Sequence, residues 1–145
     1  MSAALYNASI LRLAASIPHD TRLPHAHGSS EKRSPICGSR VTVDVMLDGE
    51  GRIAGLGQEV RACALGQASA SLMGAHAIGR SAEQLAEARD AITDFLAGER
   101  DDPGTWPGLA IFGAARDYPA RHPSIRLAFE AVAEAVANAL RAQAA

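Results

Sequence analysis

The sequence predicts an α+β fold in which a small antiparallel sheet is packed on one side by helices. Three observations predict it. Val41, Val43, Val45 and Leu47 alternate with Thr42, Asp44 and Met46 just ahead of Asp48-Gly49, which is the period of a strand entering a hairpin. In three later segments the apolar residues change to helical spacing. Strands therefore come early and helices late, the order of an α+β domain rather than of alternating βαβ units.

Each element has a local reason. Over Leu5 to Ile17, Tyr6, Ile10, Leu13 and Ile17 recur at helical spacing until Pro18 stops the run. Residues 18–30, PHDTRLPHAHGSS, carry no apolar period and read as a surface connection that includes His25 and His27. Glu31 to Ile36 is a further edge strand, where the missing N–H of Pro35 is tolerated. After the hairpin turn, Ile53, Leu56 and Val60 form a returning strand, and Gly55 and Gly57 mark a bulge or a close backbone approach. Leu65, Ala68, Leu72 and Ala75 then carry a helix of small residues towards Gly79. Ser81 with Gln84 is a capping box opening a helix through Leu85, Ala88, Ile92, Phe95 and Leu96 to Gly98. A loop rich in Pro and Gly, ERDDPGTWPG, follows. The last helix has Pro123 at an early position and Ile125, Phe129, Val132, Val136 and Leu140 along one face.

With 145 residues, 48% apolar and 21% charged, the chain fits one domain over residues 1–145. Fourteen basic against sixteen acidic residues leave a formal charge of −2, so no global basic field gathers nucleic acid or an anionic membrane. Aromatics are only 4%, which points to an aliphatic core and disfavours a base-stacking platform. No run approaches the roughly 18 apolar residues of a membrane span. The N-terminal segment lacks a basic start and carries Arg12 inside its apolar part, so it reads as a helix rather than a secretory signal, and a cytoplasmic location is expected. In a reducing compartment the two cysteines are buried thiols, metal ligands or a redox couple.

Cys37, in SPICGS, precedes the first strong strand, and Cys63, in VRACALGQAS, stands where the returning strand hands over to a helix whose positive end faces the sulfur. An antiparallel hairpin brings these two ends together although 26 positions separate them. RHPSI, at the opening of the last helix, offers a third partner: His122 is the stronger ligand type and Ser124 the weaker, because imidazole binds borderline metals better than a neutral alcohol. Ser39 and Ser124 also suit turn and capping roles, and Arg121 is placed to pair with an acidic group near the mouth. His25 and His27 read as solvated and His76 as a structural histidine.

Taken together these residues resemble the iron–sulfur cluster assembly scaffold family of the IscU, SufU and NifU N-terminal type. The resemblance runs from ALYNASIL through SPICGS, GEGRIAGLGQEVRACALGQASASLMG and GRSAEQL to YPARHPSIRLAFEAV. The most specific parts are the Cys-Gly before a strand and the Cys at the sheet-to-helix junction followed by ASASLM. It implies a three-stranded antiparallel sheet packed by helices, with three cysteines and an acidic residue converging at one end. Cys37 and Cys63 match the first two cysteines of that set. Ser39 stands where the family has its Asp, and Ser124 where it has its third cysteine. His122 is two positions before Ser124, with Pro123 between them, and the chaperone-recognition tract of the IscU type is absent around YPAR.

The expectation that follows is a scaffold, not an enzyme, holding iron, zinc or a transient iron–sulfur cluster at Cys37 and Cys63 with His122 as candidate third ligand. The resemblance implies a cysteine desulfurase as sulfur donor and iron–sulfur acceptor proteins downstream; the charge balance leads us to expect no nucleic acid or membrane partner. Two alternatives stand beside it. One is a two-cysteine thiol peroxidase or disulfide reductase, against which the absence of a C-x-x-C spacing counts. The other is a metal-free adaptor that binds the desulfurase.

Overall fold

A valine ladder organises the molecule. In the computed structural model, which describes residues 5–36 and 38–144, Val41, Val43 and Val45 have 0% exposure and point from the middle strand into the helices. The elements are α1 (Ala8–Ala14), β1 (Gly28–Arg33), β2 (Arg40–Leu47), β3 (Ile53–Arg61), α2 (Ala64–His76), α3 (Ala82–Leu96) and α4 (His122–Ala144), with 3-10 turns at Leu109–Asp117 and Pro119–Arg121 before α4. The sheet is antiparallel in the order β1-β2-β3. An α+β architecture with helices on one face of a three-stranded sheet is what the sequence predicts.

α4 lies across β1 and β2 and contributes Ile125, Phe129, Val132 and Val136 to the core, all at 0% exposure. Burying each such side chain stabilises the fold by about 2 kcal/mol. The close fit is set by Gly28: a Cβ there would stand 2.4 Å from the Ala135 carbonyl oxygen and 2.5 Å from the Ala139 nitrogen. Ser30 Oγ donates to Glu134 at 3.0 Å and Lys32 Nζ approaches the same carboxylate at 2.5 Å, tying β1 to α4 by polar contacts as well. The predicted capping box is present, with Gln84 N donating to Ser81 Oγ at 3.3 Å and Ser81 N to Gln84 Oε1 at 2.9 Å.

Several expectations move. The edge strand is Gly28–Arg33 rather than Glu31 to Ile36, so Pro35 lies beyond it and residues 28–30 belong to the sheet. The first helix is shorter than the periodic run, Ala8–Ala14, and opens on an Asn7 side-chain cap to Ile10 N. Residues 18–24, read as a surface connection, cross the outer face of the sheet. Gln58 N donates to the His19 carbonyl at 2.9 Å, and a Cβ on Gly57 would stand 2.4 Å from the Thr21 carbonyl oxygen. This is the close approach that Gly57 announced, while the bulge falls beside Gly55, where Met46 faces Gly55 but Leu47 faces Ile53. The long connection after α3 is pinned by Trp106, whose Nε1 donates to the Leu72 carbonyl at 2.9 Å and whose ring meets Phe129 edge-on.

Candidate functional site

The register that pairs Arg40 with Arg61 sends the chain before β2 and the chain after β3 out of the same end of the sheet. The β1–β2 turn is closed by Ser34 N donating to the Ser39 carbonyl at 2.8 Å and Gly38 N to the Ser34 carbonyl at 3.3 Å. Gly38 takes a φ of +74°, a left-handed conformation that suits glycine. Cys37, in this turn by sequence, lies outside the described residues.

Cys63 is the N-cap of α2, extended at φ −67° and ψ 172°, with no side-chain capping bond; its thiol is free and half-buried. The helix begins here because Cys63 already accepts from Gln67 N at 2.9 Å while its own backbone is still that of a strand. The first turn of α2 rests on the start of α4. A Cβ on Gly66 would come within 3.2 Å of the Ser124 carbonyl oxygen, and Ser69 Oγ donates to the Ile125 carbonyl at 2.6 Å.

Ser39 and Ser124 meet at this end. Their hydroxyl oxygens are 3.4 Å apart, with the two residues only 4% and 2% exposed. His122, two positions before Ser124, is also buried, and its Nε2–H donates to the Ala115 carbonyl at 2.8 Å, which leaves Nδ1 as the ring's lone-pair nitrogen when the imidazole is neutral. Arg121 is exposed at the end of the last 3-10 turn. The other histidines lie elsewhere: His25 is exposed just after the crossing segment, His27 Nδ1 accepts from Leu47 N at 2.9 Å, and His76 stands edge-on to Trp106. The structure thus brings Ser39, Ser124 and the Cys63 end of α2 together, and gives His122 a carbonyl partner.

One buried carboxylate escaped the sequence reading, where Asp44 is only the polar half of an alternation. It is 1% exposed and accepts from Arg22 at 2.6 and 3.0 Å, from Leu23 N at 3.0 Å and from Ser29 Oγ at 2.6 Å. Burial opposes its ionisation, but the hydrogen bonds from Arg22, Ser29 and Leu23 outweigh it and hold the carboxyl below its ordinary pKa. Asp44 is a clamp for the crossing segment. No local pattern signals it, because its partners are Arg22 and Leu23 in a loop 22 and 21 positions away and Ser29 on β1, 15 positions away.

Among the described residues, no group of three or more His, Cys, Asp or Glu is arranged to hold a metal ion. At the Cys63 end they offer a thiol and two hydroxyls, while the imidazole of His122, two positions before Ser124, has one nitrogen engaged by the Ala115 carbonyl. A thiolate and an imidazole are the donors that suit zinc and iron; the hydroxyls are far weaker ligands.

No protein-family model matches the chain. The iron–sulfur cluster assembly scaffold protein IscU of Thermotoga maritima is 27% identical over 132 residues, 91% of this chain and 92% of that protein. The solved N-terminal NifU-like protein of Brucella abortus is 35% identical, superposes with a TM-score of 0.90 and is covered, like this chain, to 97%. A putative SUF-system scaffold protein of Fervidobacterium islandicum AW-1 shares the fold at a TM-score of 0.85 and 23% identity, over 94% of this chain and 99% of that one.

Proposed function

Since the chain belongs to the iron–sulfur cluster assembly scaffold family of the NifU N-terminal, IscU and SufU type, we propose that it holds iron, zinc or a transient iron–sulfur cluster as cargo through Cys37 and Cys63, with His122 as third ligand. It acts as a scaffold rather than as a catalyst of small-molecule turnover. The observation that supports the reading is the meeting of Ser39, Ser124 and the first turn of α2 at one end of the sheet, since these are the positions where the family gathers its ligands.

Sulfur arrives from a cysteine desulfurase. A thiolate of this chain attacks the outer sulfur of the donor's cysteine persulfide, the donor's S–S bond breaks, and the donor cysteine leaves as thiolate. The sulfane sulfur is then carried here as a persulfide, with no net oxidation or reduction. Cys63 suits that role because it is half-buried, free of a disulfide and set at the opening of α2. His122, donating Nε2–H to a carbonyl, has the arrangement in which an imidazole presents its other nitrogen to a metal. Completed cargo passes to iron–sulfur acceptor proteins, and the working location is the cytoplasm; no helix among the described residues is long and apolar enough to cross a membrane.

One observation favours a second reading, a metal-free adaptor for the desulfurase: two family ligand positions here carry hydroxyls that touch each other. Anaerobic purification followed by metal and acid-labile sulfide assays separates the two. Iron with sulfide, lost in Cys37→Ser and Cys63→Ser, supports the scaffold; zinc without sulfide supports a metal-holding variant. Neither metal nor sulfide, with no one-sulfur mass gain after incubation with donor and free cysteine, overturns the proposal in favour of the adaptor.

A further inference from the structure

Two features of the Cys63 end are not used by ligand chemistry. The first is a cross-strand row of like charge: Arg33 pairs with Arg40 and Arg40 with Arg61, so three arginines stand side by side on the outer face at the end of the sheet. Like charges directly opposite one another destabilise a sheet. The next row, Glu31, Thr42 and Glu59, returns only two negative charges. Glu31 is engaged by Arg33 at 2.8 Å, and Arg40 lies 3.9 and 3.8 Å from Glu31 and Glu59. Arg61 is exposed and makes no ion pair among the described residues, and Arg22 is taken by Asp44. In a chain of net charge −2 this is a local positive edge.

The second feature is Ile36. It is 70% exposed, the most exposed of the large hydrophobic residues described, and stands in the turn that joins Arg33 to Arg40. The turn does not present it loosely. Ile36 N donates to Ser34 Oγ at 3.4 Å, and Ser34 N to the Ser39 carbonyl closes the loop beneath it. An exposed apolar side chain on a hydrogen-bonded turn, at the end of the sheet that carries the arginine row, has the make-up of an interface centre, where an apolar anchor and Arg supply most of the binding energy.

We propose that Ile36 and the row Arg33, Arg40 and Arg61 form a docking surface for an acidic protein surface with an apolar recess that takes Ile36. Assigning that partner as the sulfur donor rests on the function proposed above. Charge complementarity selects a protein over nucleic acid, because Glu31 and Glu59 directly behind the arginines would repel a continuous run of phosphates. A protein surface can place its carboxylates opposite the arginines alone.

The test uses the full chain and the purified cysteine desulfurase of the same organism, with affinity measured by interferometry at low and at high salt. The wild type is expected to bind more weakly as salt rises. Arg61→Glu is expected to weaken binding about tenfold at low salt and to flatten the salt dependence. Ile36→Ser is expected to weaken it about tenfold at both salts. Glu59→Gln, which removes an opposing charge, should tighten it, a gain that misfolding cannot imitate; circular dichroism and melting curves check the other two variants. Wild-type affinity in all three variants overturns the proposal. So does the absence of a complex, a salt-sensitive self-association that the same substitutions abolish, or binding of a duplex oligonucleotide through the same arginines. The persulfide state of Cys63, read by mass in the same mixtures, reports separately on the proposed function. Sulfur transfer with unaltered docking in the variants sinks only the docking surface, whereas salt-sensitive docking without sulfur transfer sinks only the assignment of the donor.

Discussion

The hydroxyl oxygens of Ser39 and Ser124 lie 3.4 Å apart in the buried end of the sheet, although 85 positions separate them in the chain. The family resemblance implies an acid and a thiol at these two places; here they carry two neutral groups in contact. Exchanging both, as Ser39→Asp with Ser124→Cys, should raise retained iron and acid-labile sulfide. Because an unpaired buried carboxylate is costly, the metal-free double variant should melt below the parent and recover when iron or zinc is added. Calorimetry with and without metal reads this directly, and a melting temperature indifferent to metal would count against a ligand site at these positions.

His122 donates to the Ala115 carbonyl, so His122→Ala should cost about 1–2 kcal/mol of stability whatever its role towards metal. Under the proposed function the same variant also loses zinc affinity in competition with a chelator. Unchanged affinity alongside a lowered melting temperature removes His122 from the ligand set and leaves it as the residue that ties the start of α4 to the 3-10 turn Leu109–Asp117.

Asp44 makes the fold acid-sensitive. Its folded pKa lies below the unfolded value, so its contribution to stability is complete above the ordinary carboxylate pKa of about 3.9 and is lost as pH falls through the lower folded value. Asp44→Asn is expected to cost about 2 kcal/mol at neutral pH, since the amide is uncharged, keeps only one acceptor oxygen and turns an NH2 towards the donors that faced the other. Parent and variant should converge in strong acid. Urea midpoints across that range check it, and parallel curves would show that the clamp contributes nothing pH-dependent.

Gly57→Ala places a methyl group 2.4 Å from the Thr21 carbonyl oxygen and 2.9 Å from Leu23 N, so segment 18–24 must lift from the sheet. The expected loss is about 2 kcal/mol. Hydrogen exchange locates it: the amide of Gln58, bonded to the His19 carbonyl, should lose protection while the Val43 and Val45 amides of the ladder keep theirs.

The sequence by itself determined the elements whose causes are local. Alternation of Val41, Val43 and Val45 wrote β2, the Ser81 and Gln84 pair wrote the start of α3, and the spacing from Ile125 to Val136 wrote the buried face of α4, whereas Leu140, read on the same face, is exposed. Cys63 at a strand-to-helix handover was legible for the same reason, since both periods meet at that residue. Only the tertiary structure decided that Ser39 touches Ser124, that Ala115 receives the imidazole of His122 and that three arginines share one row. It also decided that segment 18–24 covers the outer face, held through Asp44 and Gln58. The reason is physical. Periodicity and capping record interactions reaching about four residues along the chain, whereas these contacts depend on strand register and helix docking. The covering segment is moreover fastened by hydrogen bonds and by the space a glycine leaves, neither of which alters the hydropathy pattern from which core residues are read.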